Sequence, residues 1–423
     1  MNTIDFKPGD LVRIKVKSQS YEGLVMPRTQ YEGPEHITIK LKNGYNIGLS
    51  LNRILESSVI KRGDEAKGSE ATVIPSEGGQ VHGDILLLST GGTIASRVDY
   101  RTGAVKPAFS SKELAALIPE LGSIASFSIR SLMSVLSENI RPSDWTMIAK
   151  AVQEAFLAGF RGVVIAHGTD TMHYTAAALS FALENPPGPV VLVGSQRSSD
   201  RPSSDAATNL IGAFKFASSS RSRGVFIAMH SGLSDDSIAI HLGVRVRKNH
   251  TSRRNAFHSV NRRPVAYIKG LTLNENTVIG GKGEFIVRPN FDDRAALVKF
   301  FPGMKGSYFK FLVDEGIKAI IIEGGGLGHV SEDLIQPITE GIKKGVFFGM
   351  TSQCIWGSVN LNVYETGRDL LSAGVVPLGD MLSEVALAKS MWVLGNGLNA
   401  TGQMPLDLRG EVTGRRWLSV EQD

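Results

Sequence analysis

A set of short, near-continuous apolar runs limits the fold more than any other feature of this chain. The runs are Ile85–Ser89, Gly162–Ala166, Val190–Val193, Gly224–Met229 and Ala319–Ile322. Strands read this way when both faces are buried, because neither face carries the polar half of an alternating pattern. Segments of helical period lie between them, for example Thr146–Ala158 and Tyr174–Leu183. Alternating strands and helices predict an α/β chain built on a parallel sheet. At 423 residues the chain exceeds one ordinary core, so two or three domains are expected.

Residues 8–56 follow a different rule. Val12, Ile14 and Val16 alternate with Arg13, Lys15 and Lys17, and Ile37, Ile39 and Leu41 alternate with Thr38, Lys40 and Lys42. Asn43-Gly44 then stands where a tight hairpin wants positive φ, and Tyr45, Ile47 and Leu49 resume the alternation. This predicts a small all-β barrel over residues 1–60. From Ser57 to Gly83 the pattern dissolves into KRGDEAKGSE and IPSEGGQVHG, and a linker is expected over 61–83 with a short strand at Ala71–Ile74. The α/β part divides into units at 84–285 and 286–423. The stretch KFFPGMKGSYFKFLVDEG, leading into IIIEGGGLG, places the start of the second unit near Phe291.

Composition narrows the function classes. The chain is 42% hydrophobic and 21% charged and holds no apolar run near the eighteen residues of a membrane span. MNTIDFKPGD lacks the charged and apolar regions of an export signal, so a cytoplasmic location is expected. The single cysteine, Cys354, rules out an intramolecular disulfide and a Cys-based metal cage. The nine histidines form no HExxH or other ligand-spaced group, so no metal site is expected. A net charge of +5 and a pI near 9.1 permit an RNA partner without requiring one.

The strand-end turns are where chemistry is expected. DILLLSTGGTIAS, residues 84–96, lacks the GxxxxGK[ST] of a phosphate loop and the GxGxxG of a dinucleotide site. What remains is a turn whose threonine caps the next segment or bares a hydroxyl for chemistry. GVVIAHGTDTMHYTAAALSFAL repeats the strand-and-glycine-turn pattern with Thr169 and Asp170. Each suits an N-cap, yet two such turns in one parallel sheet would put both threonines at the carboxyl-end crevice where ligands bind. Threonine attacks only after a base takes its proton. Lys248, in RVRKNHTSRRNAFHS (245–259), is a candidate base with Asp170 as its orienter. Taken by itself, the loop is better read as a solvated charge cluster or an anion-binding patch.

Four segments, in order, resemble the bacterial-type L-asparaginase/glutaminase family: TGGTIAS at 90–96, AHGTDTM at 166–172, VGSQRS at 193–198 and KNHTSRRNAFHSVN at 248–261. The resemblance implies a two-domain α/β amidohydrolase, with a larger N-terminal and a smaller C-terminal parallel-sheet domain. It implies that Thr93 is the nucleophile, that Tyr100 in DYRTG assists it, and that Thr169, Asp170 and Lys248 form a second activating triad. Ser137 and Glu138 in VLSENIRP fall where the family grips the substrate's α-carboxylate and α-amino groups, and Ser195 falls near the amide end. Many free asparaginases carry Gln at the Glu138 position; a carboxylate there suits an α-ammonium. Glu365 in VYETGRD is the counterpart suggested for the acid that the C-terminal domain often contributes.

Free asparaginases normally lack the N-terminal barrel. Together with LSENIRPSDW and VGSQRSSDRPSSDAATNL, it makes the chain similar to the asparaginase-like subunits of archaeal glutamyl-tRNA(Gln) amidotransferases. That resemblance implies that ammonia is released from glutamine for a partner, the E subunit, which converts ATP-activated Glu-tRNA(Gln) to Gln-tRNA(Gln). It implies no cofactor in this chain, ATP and Mg at the partner subunit, and a homodimer core within a heterotetramer. A stand-alone cytoplasmic L-asparaginase with an appended barrel is the alternative. A non-catalytic RNA-binding module built on the barrel and the 245–263 arginines is a third reading.

Overall fold

A computed structural model describes residues 6–7, 9–17, 19–26, 33, 35–41, 46–62, 84–91, 96–98, 105–107, 121–197, 204–281 and 283–413. Five strands open the chain: β1 Leu11–Val16, β2 Gln19–Val25, β3 His36–Leu41, β4 Asn46–Ser50 and β5 Ile54–Lys61. They pair antiparallel in the order β4-β3-β2-β1-β5, with two register shifts between β1 and β5 that bend the sheet. Val12, Ile14, Val25, Ile37 and Ile39 form its core, so the alternation in the sequence maps onto one buried face. Among the described residues β4 and β5 are not paired with each other, and the expected barrel is seen as this curled five-stranded sheet. Ser57–Lys61, read from composition as the start of the linker, belong to β5: its VIK ending pairs with β1 despite the polar surroundings. The Asn43-Gly44 turn and Ala71–Ile74 lie outside the described residues.

The next unit contains β6 Ile85–Gly91, the hairpin β7 Ser96–Val98 and β8 Val105–Pro107, β9 Phe127–Val135, β10 Gly162–Ala166, β11 Leu183–Glu184, β12 Pro189–Val193 and β13 Gly224–His230. It continues through β14 Ile238–Leu242, β15 Val246–Lys248, β16 Phe257–Ser259, β17 Ala266–Lys269, β18 Thr272–Glu275 and β19 Ile286–Val287. Its helices are α1 Leu121–Ile124, α2 Pro142–Leu157, α3 Met172–Ala182 and α4 Ala206–Ser219. Eight strands make the large sheet, ordered β18-β17-β14-β13-β12-β10-β6-β9. The apolar runs are its centre, and their parity explains why they read as continuous. Leu86, Leu88, Val163, Ile165, Val190 and Leu192 face Ile148, Val152 and Phe156 of α2. Ile85, Leu87, Val164, Val191 and Val193 face Leu210, Ala213 and Phe214 of α4. Each such side chain taken fully out of water contributes about 1.5–3 kcal/mol before conformational entropy is counted.

The sheet is parallel from β13 to β9 but not throughout. β14 returns antiparallel to β13, and β17 and β18 add antiparallel strands beyond it. The parallel sheet read from the apolar runs is thus continued at one edge by antiparallel strands: the short β13–β14 and β17–β18 connections close hairpins, since a parallel crossover needs a dozen or more residues.

The second sheet is parallel, with strands β20 Ala295–Lys299, β21 Ala319–Gly324, β22 Phe347–Ser352 and β23 Val376–Pro377 side by side in chain order. Helices α5 Ser307–Asp314, α6 Ile335–Lys343 and α7 Glu365–Ala373 connect them, and α8 Ser383–Gly395 follows. Phe309, Ile320, Ile322, Ile338, Phe348, Met350 and Leu370 fill its core. Trp392 of α8 stacks on Phe181 of α3 with ring centroids 5.9 Å apart, and its indole N–H donates to Arg288 O at 3.0 Å. The two sheets therefore share a packed boundary.

Candidate active site

The carboxyl ends of β10 and β12 finish level, because Ala166 is registered against Val193, while β6, registered beside Ala166 at Ser89, runs on to Gly91. The turns beyond β10 and β12 pack too tightly for ordinary residues. A Cβ on Gly168 would lie 2.6 Å from the Cβ of Ser137, and one on Gly194 would lie 2.7 Å from Cγ2 of Thr169. Glycine at these two positions lets the turn after β10 nest between the 137 turn and the β12 turn. The Thr90 hydroxyl donates to Ala166 O at 3.0 Å, fastening the end of β6 to β10.

Thr169 emerges from this nest, buried, at the crevice expected for ligands in an open α/β sheet. Lys248 approaches it at the end of β15, which pairs with β16 so that Lys248 stands opposite Phe257. The Lys248 ammonium donates to Thr169 Oγ1 at 2.9 Å and to Asp170 Oδ1 at 2.6 Å. The Lys248 side chain is 9% exposed while that of Asp170 is 67% exposed, so a sheltered amine meets a solvent-facing carboxylate. This arrangement can do proton chemistry. An amine bonded to both a hydroxyl and a carboxylate is oriented to take the hydroxyl's proton once it has lost its own.

Of the other expected site residues, Ser137 is buried and Glu138 is exposed, both on a single 3-10 turn at Ser137–Asn139. Thr171 donates to Ser137 O at 2.7 Å, which ties that turn to the Thr169 segment. Ser195 is fully buried, and its Oγ has no hydrogen-bond partner among the described residues. Thr93 and Tyr100 lie outside the described residues. Glu365 is exposed at the start of α7. The acids that the C-terminal unit sends to the β15 segment are Glu384, bonded to Arg247, and Asp380, bonded to Arg245.

Several supporting residues were not singled out by sequence reasoning. Asp205 accepts the backbone N–H groups of Gln196 and Arg197 at 3.0 Å and thereby shapes the turn that carries Ser195. Asn209, one helical turn on, donates to Gly194 O at 3.0 Å and to Asp205 at 2.9 Å. His230 meets Asn209 Oδ1 at 2.6 Å and Asp235 at 3.0 Å, and Asp235 also bonds Arg254. The signal was present as an Asp and an Asn four apart at a helix start in SSDAATNL. Two histidines lie under the triad. Burial lowers His167 to about 4, against a hydrogen bond to Gly168 O that raises it. Burial, then the charges of Arg247 and Lys248, lower His173 to about 3. Both are neutral imidazoles near neutral pH.

Among the described residues no three His, Cys, Asp or Glu side chains come together as a metal-holding group. No helix among them is long and apolar enough to cross a membrane.

Comparisons with known proteins agree with the fold. Residues 84–278 match the family model "Asparaginase, N-terminal", residues 294–403 match "Glutaminase/Asparaginase C-terminal domain", and residues 6–60 match "GatD N-terminal domain". A glutamyl-tRNA(Gln) amidotransferase subunit of Pyrococcus furiosus is 49% identical over 416 residues, 96% of this chain and 94% of that one. The like-named protein from Thermofilum pendens is 46% identical over 400 residues, 90% of this chain and 88% of its own. Among solved structures, the thermostable L-asparaginase of Thermococcus kodakarensis superimposes with a TM-score of 0.70 at 35% identity, covering 78% of this chain and 99% of that one. L-asparaginase I of Vibrio cholerae gives a TM-score of 0.69 at 29% identity, covering 78% and 98%. The two-unit α/β architecture is thus that of asparaginases, with an antiparallel sheet added in front.

Proposed function

The chain belongs to the asparaginase/glutaminase family, in the GatD branch whose relatives are named as glutamyl-tRNA(Gln) amidotransferase subunits, and from that premise we propose that its crevice hydrolyses glutamine to supply ammonia within such a complex. The bond between Lys248 and Thr169, at the carboxyl end of β10 where Ala166 is registered beside Ser89 of β6, carries this reading. An amine bonded to a hydroxyl at a carboxyl-end crevice suits proton transfer to and from a threonine.

The Thr93 hydroxyl attacks the side-chain amide carbon of glutamine while its proton passes, with Tyr100 and Thr169 assisting, to the neutral amine of Lys248, which Asp170 orients. Backbone N–H groups of the glycine turn hold the oxyanion that forms. The tetrahedral adduct collapses, the C–N bond breaks, and the nitrogen leaves as ammonia with the transferred proton. Thr169, Asp170 and Lys248 remove a proton from the water that cleaves the acyl-threonine, giving glutamate and regenerating Thr93. Ser137 and Glu138 hold the α-carboxylate and α-ammonium, and Ser195 orients the amide. The residue types suit their tasks: a carboxylate at 138 pairs with an ammonium, and a buried serine whose hydroxyl has no partner among the described residues can bond an amide.

The partner is the E subunit, which holds ATP and Mg, activates Glu-tRNA(Gln) and consumes the ammonia in the cytoplasm. This chain forms a homodimer core within a heterotetramer. The "GatD N-terminal domain" match over residues 6–60 favours this reading over a stand-alone asparaginase. Ammonia release from glutamine, measured with the isolated chain and again with the partner subunit and Glu-tRNA(Gln), tests it. Release is expected to be low alone and to rise when both are added. Full asparagine hydrolysis by the isolated chain would overturn it.

A further inference from the structure

Lys248 and Arg247 are neighbours on β15, so their side chains leave the strand on opposite sides. Lys248 turns to Thr169 and Asp170, and Arg247 turns to the C-terminal unit, where its Nε forms an ion pair with Glu384 Oε1 at 3.0 Å. The Glu384 side chain is 6% exposed, and its other oxygen, Oε2, is buried without a hydrogen-bond partner among the described residues. Arg247 is the cation that faces this carboxylate, so the two side chains fix each other.

Glu384 is itself anchored. It lies in the first turn of α8, where the helix amide groups favour a negative charge. Its neighbour Ser383 has its hydroxyl 2.9 Å from that of Thr351 on β22, and Thr351 in turn donates to Ile322 O on β21 at 3.1 Å. A continuous run of bonds thus leads from the second sheet through α8 and Glu384 to Arg247, one residue from the amine at the site. On the far side of Val246, Arg245 makes a separate link to Asp380 at 2.8 Å and to Thr413 at 2.8 Å.

We infer that the Arg247–Glu384 pair is a positioning device by which the C-terminal unit sets the reach of Lys248 to Thr169 and Asp170. The inference rests on the reading of Lys248 as part of the amidohydrolase machinery. Arg247 and Glu384 touch no reacting atom; they act through the strand. A buried pair of this kind adds little net stability over apolar replacements, but removing one member leaves an uncompensated charge that moves. A displacement of the order of 1 Å at a reacting group is enough to cost about 100-fold in rate.

The test compares Arg247→Met, Arg247→Lys, Glu384→Gln and, as a control, Asp380→Asn, each in the chain bound to its partner subunit with Glu-tRNA(Gln) present. Arg247→Met and Glu384→Gln are expected to lower kcat about tenfold or more with KM for glutamine within about twofold, and Arg247→Lys to recover most of it. Asp380→Asn is expected to lower the melting temperature while leaving kcat within about twofold of wild type. A second readout is the rate at which Lys248 is reductively methylated, followed by peptide mass spectrometry. Freed from its register, the amine should label faster in Arg247→Met and Glu384→Gln and at the wild-type rate in Asp380→Asn. Unchanged kcat and labelling in Arg247→Met would overturn the inference, as would an equal loss of kcat in Asp380→Asn. A wild-type complex that releases no ammonia would count against the amidohydrolase reading instead, and the labelling comparison would still decide the positioning role.

Discussion

Lys248 donates to Thr169 across 79 residues of sequence, at 2.9 Å, and to the adjacent Asp170 at 2.6 Å. Lys248→Met removes the base while keeping the stem of the side chain. Ammonia release is expected to fall about 100- to 10,000-fold, with the circular dichroism spectrum unchanged. Thr169→Ala should fall into the same range.

Gly194→Ala should damage the site through sterics alone. The added methyl would lie 2.7 Å from Thr169 Cγ2 and 2.8 Å from His167 O, and the carbonyl is backbone that cannot swing aside. A loss of about 1–3 kcal/mol is expected, measured by urea denaturation, together with a drop in kcat because Thr169 is the residue pushed.

Those residues also show how far the sequence could be read. The strand cores were legible because burial on both faces leaves a continuous apolar run, and AHGTDTM and KNHTSRRNAFHSVN each named a residue that the fold brings together. The antiparallel β14, β17 and β18 were not, since periodicity does not encode strand direction. The Asp205–Asn209–His230–Asp235 chain was hidden for another reason: His230 and Asp235 lie far from Asp205 in sequence and are joined only by the register of β13 beside β12. The Arg247–Glu384 pair spans the two units, and no local pattern announces it.

Acid should destabilise the fold partly through buried imidazoles. His241 bonds Ser259 at 2.8 Å and is lowered to about 3, first by burial and then by the nearby charge of His258. The unfolded chain takes a proton near pH 6.5 and the folded chain does not, so the stability is complete above that pH and is lost as pH falls toward the folded value. His241→Gln should therefore flatten the pH dependence of unfolding free energy by about 2 kcal/mol between pH 7 and pH 5. Parallel urea titrations at the two pH values check this; an unchanged slope would mean that His241 is protonated in the native state.

Lys389 and Glu411 form an ion pair at 2.6 Å with both side chains fully buried, and the Lys389 ammonium also caps Met404 O at 3.1 Å. Lys389→Met leaves Glu411 charged and unpaired, and should cost about 3–5 kcal/mol in thermal or urea unfolding. Adding Glu411→Gln should recover part of that loss, because the charge left behind is the main cost.

The central claim is a threonine nucleophile in the turn after β6, served by the Lys248 cluster. Exposing the complex to an electrophilic glutamine analogue and locating the adduct by peptide mass spectrometry tests it most directly. The account predicts one covalent label on Thr93, with labelling slowed severely in Lys248→Met. A label on Thr169 instead, or one that forms on Thr93 at the same rate without Lys248, would contradict it.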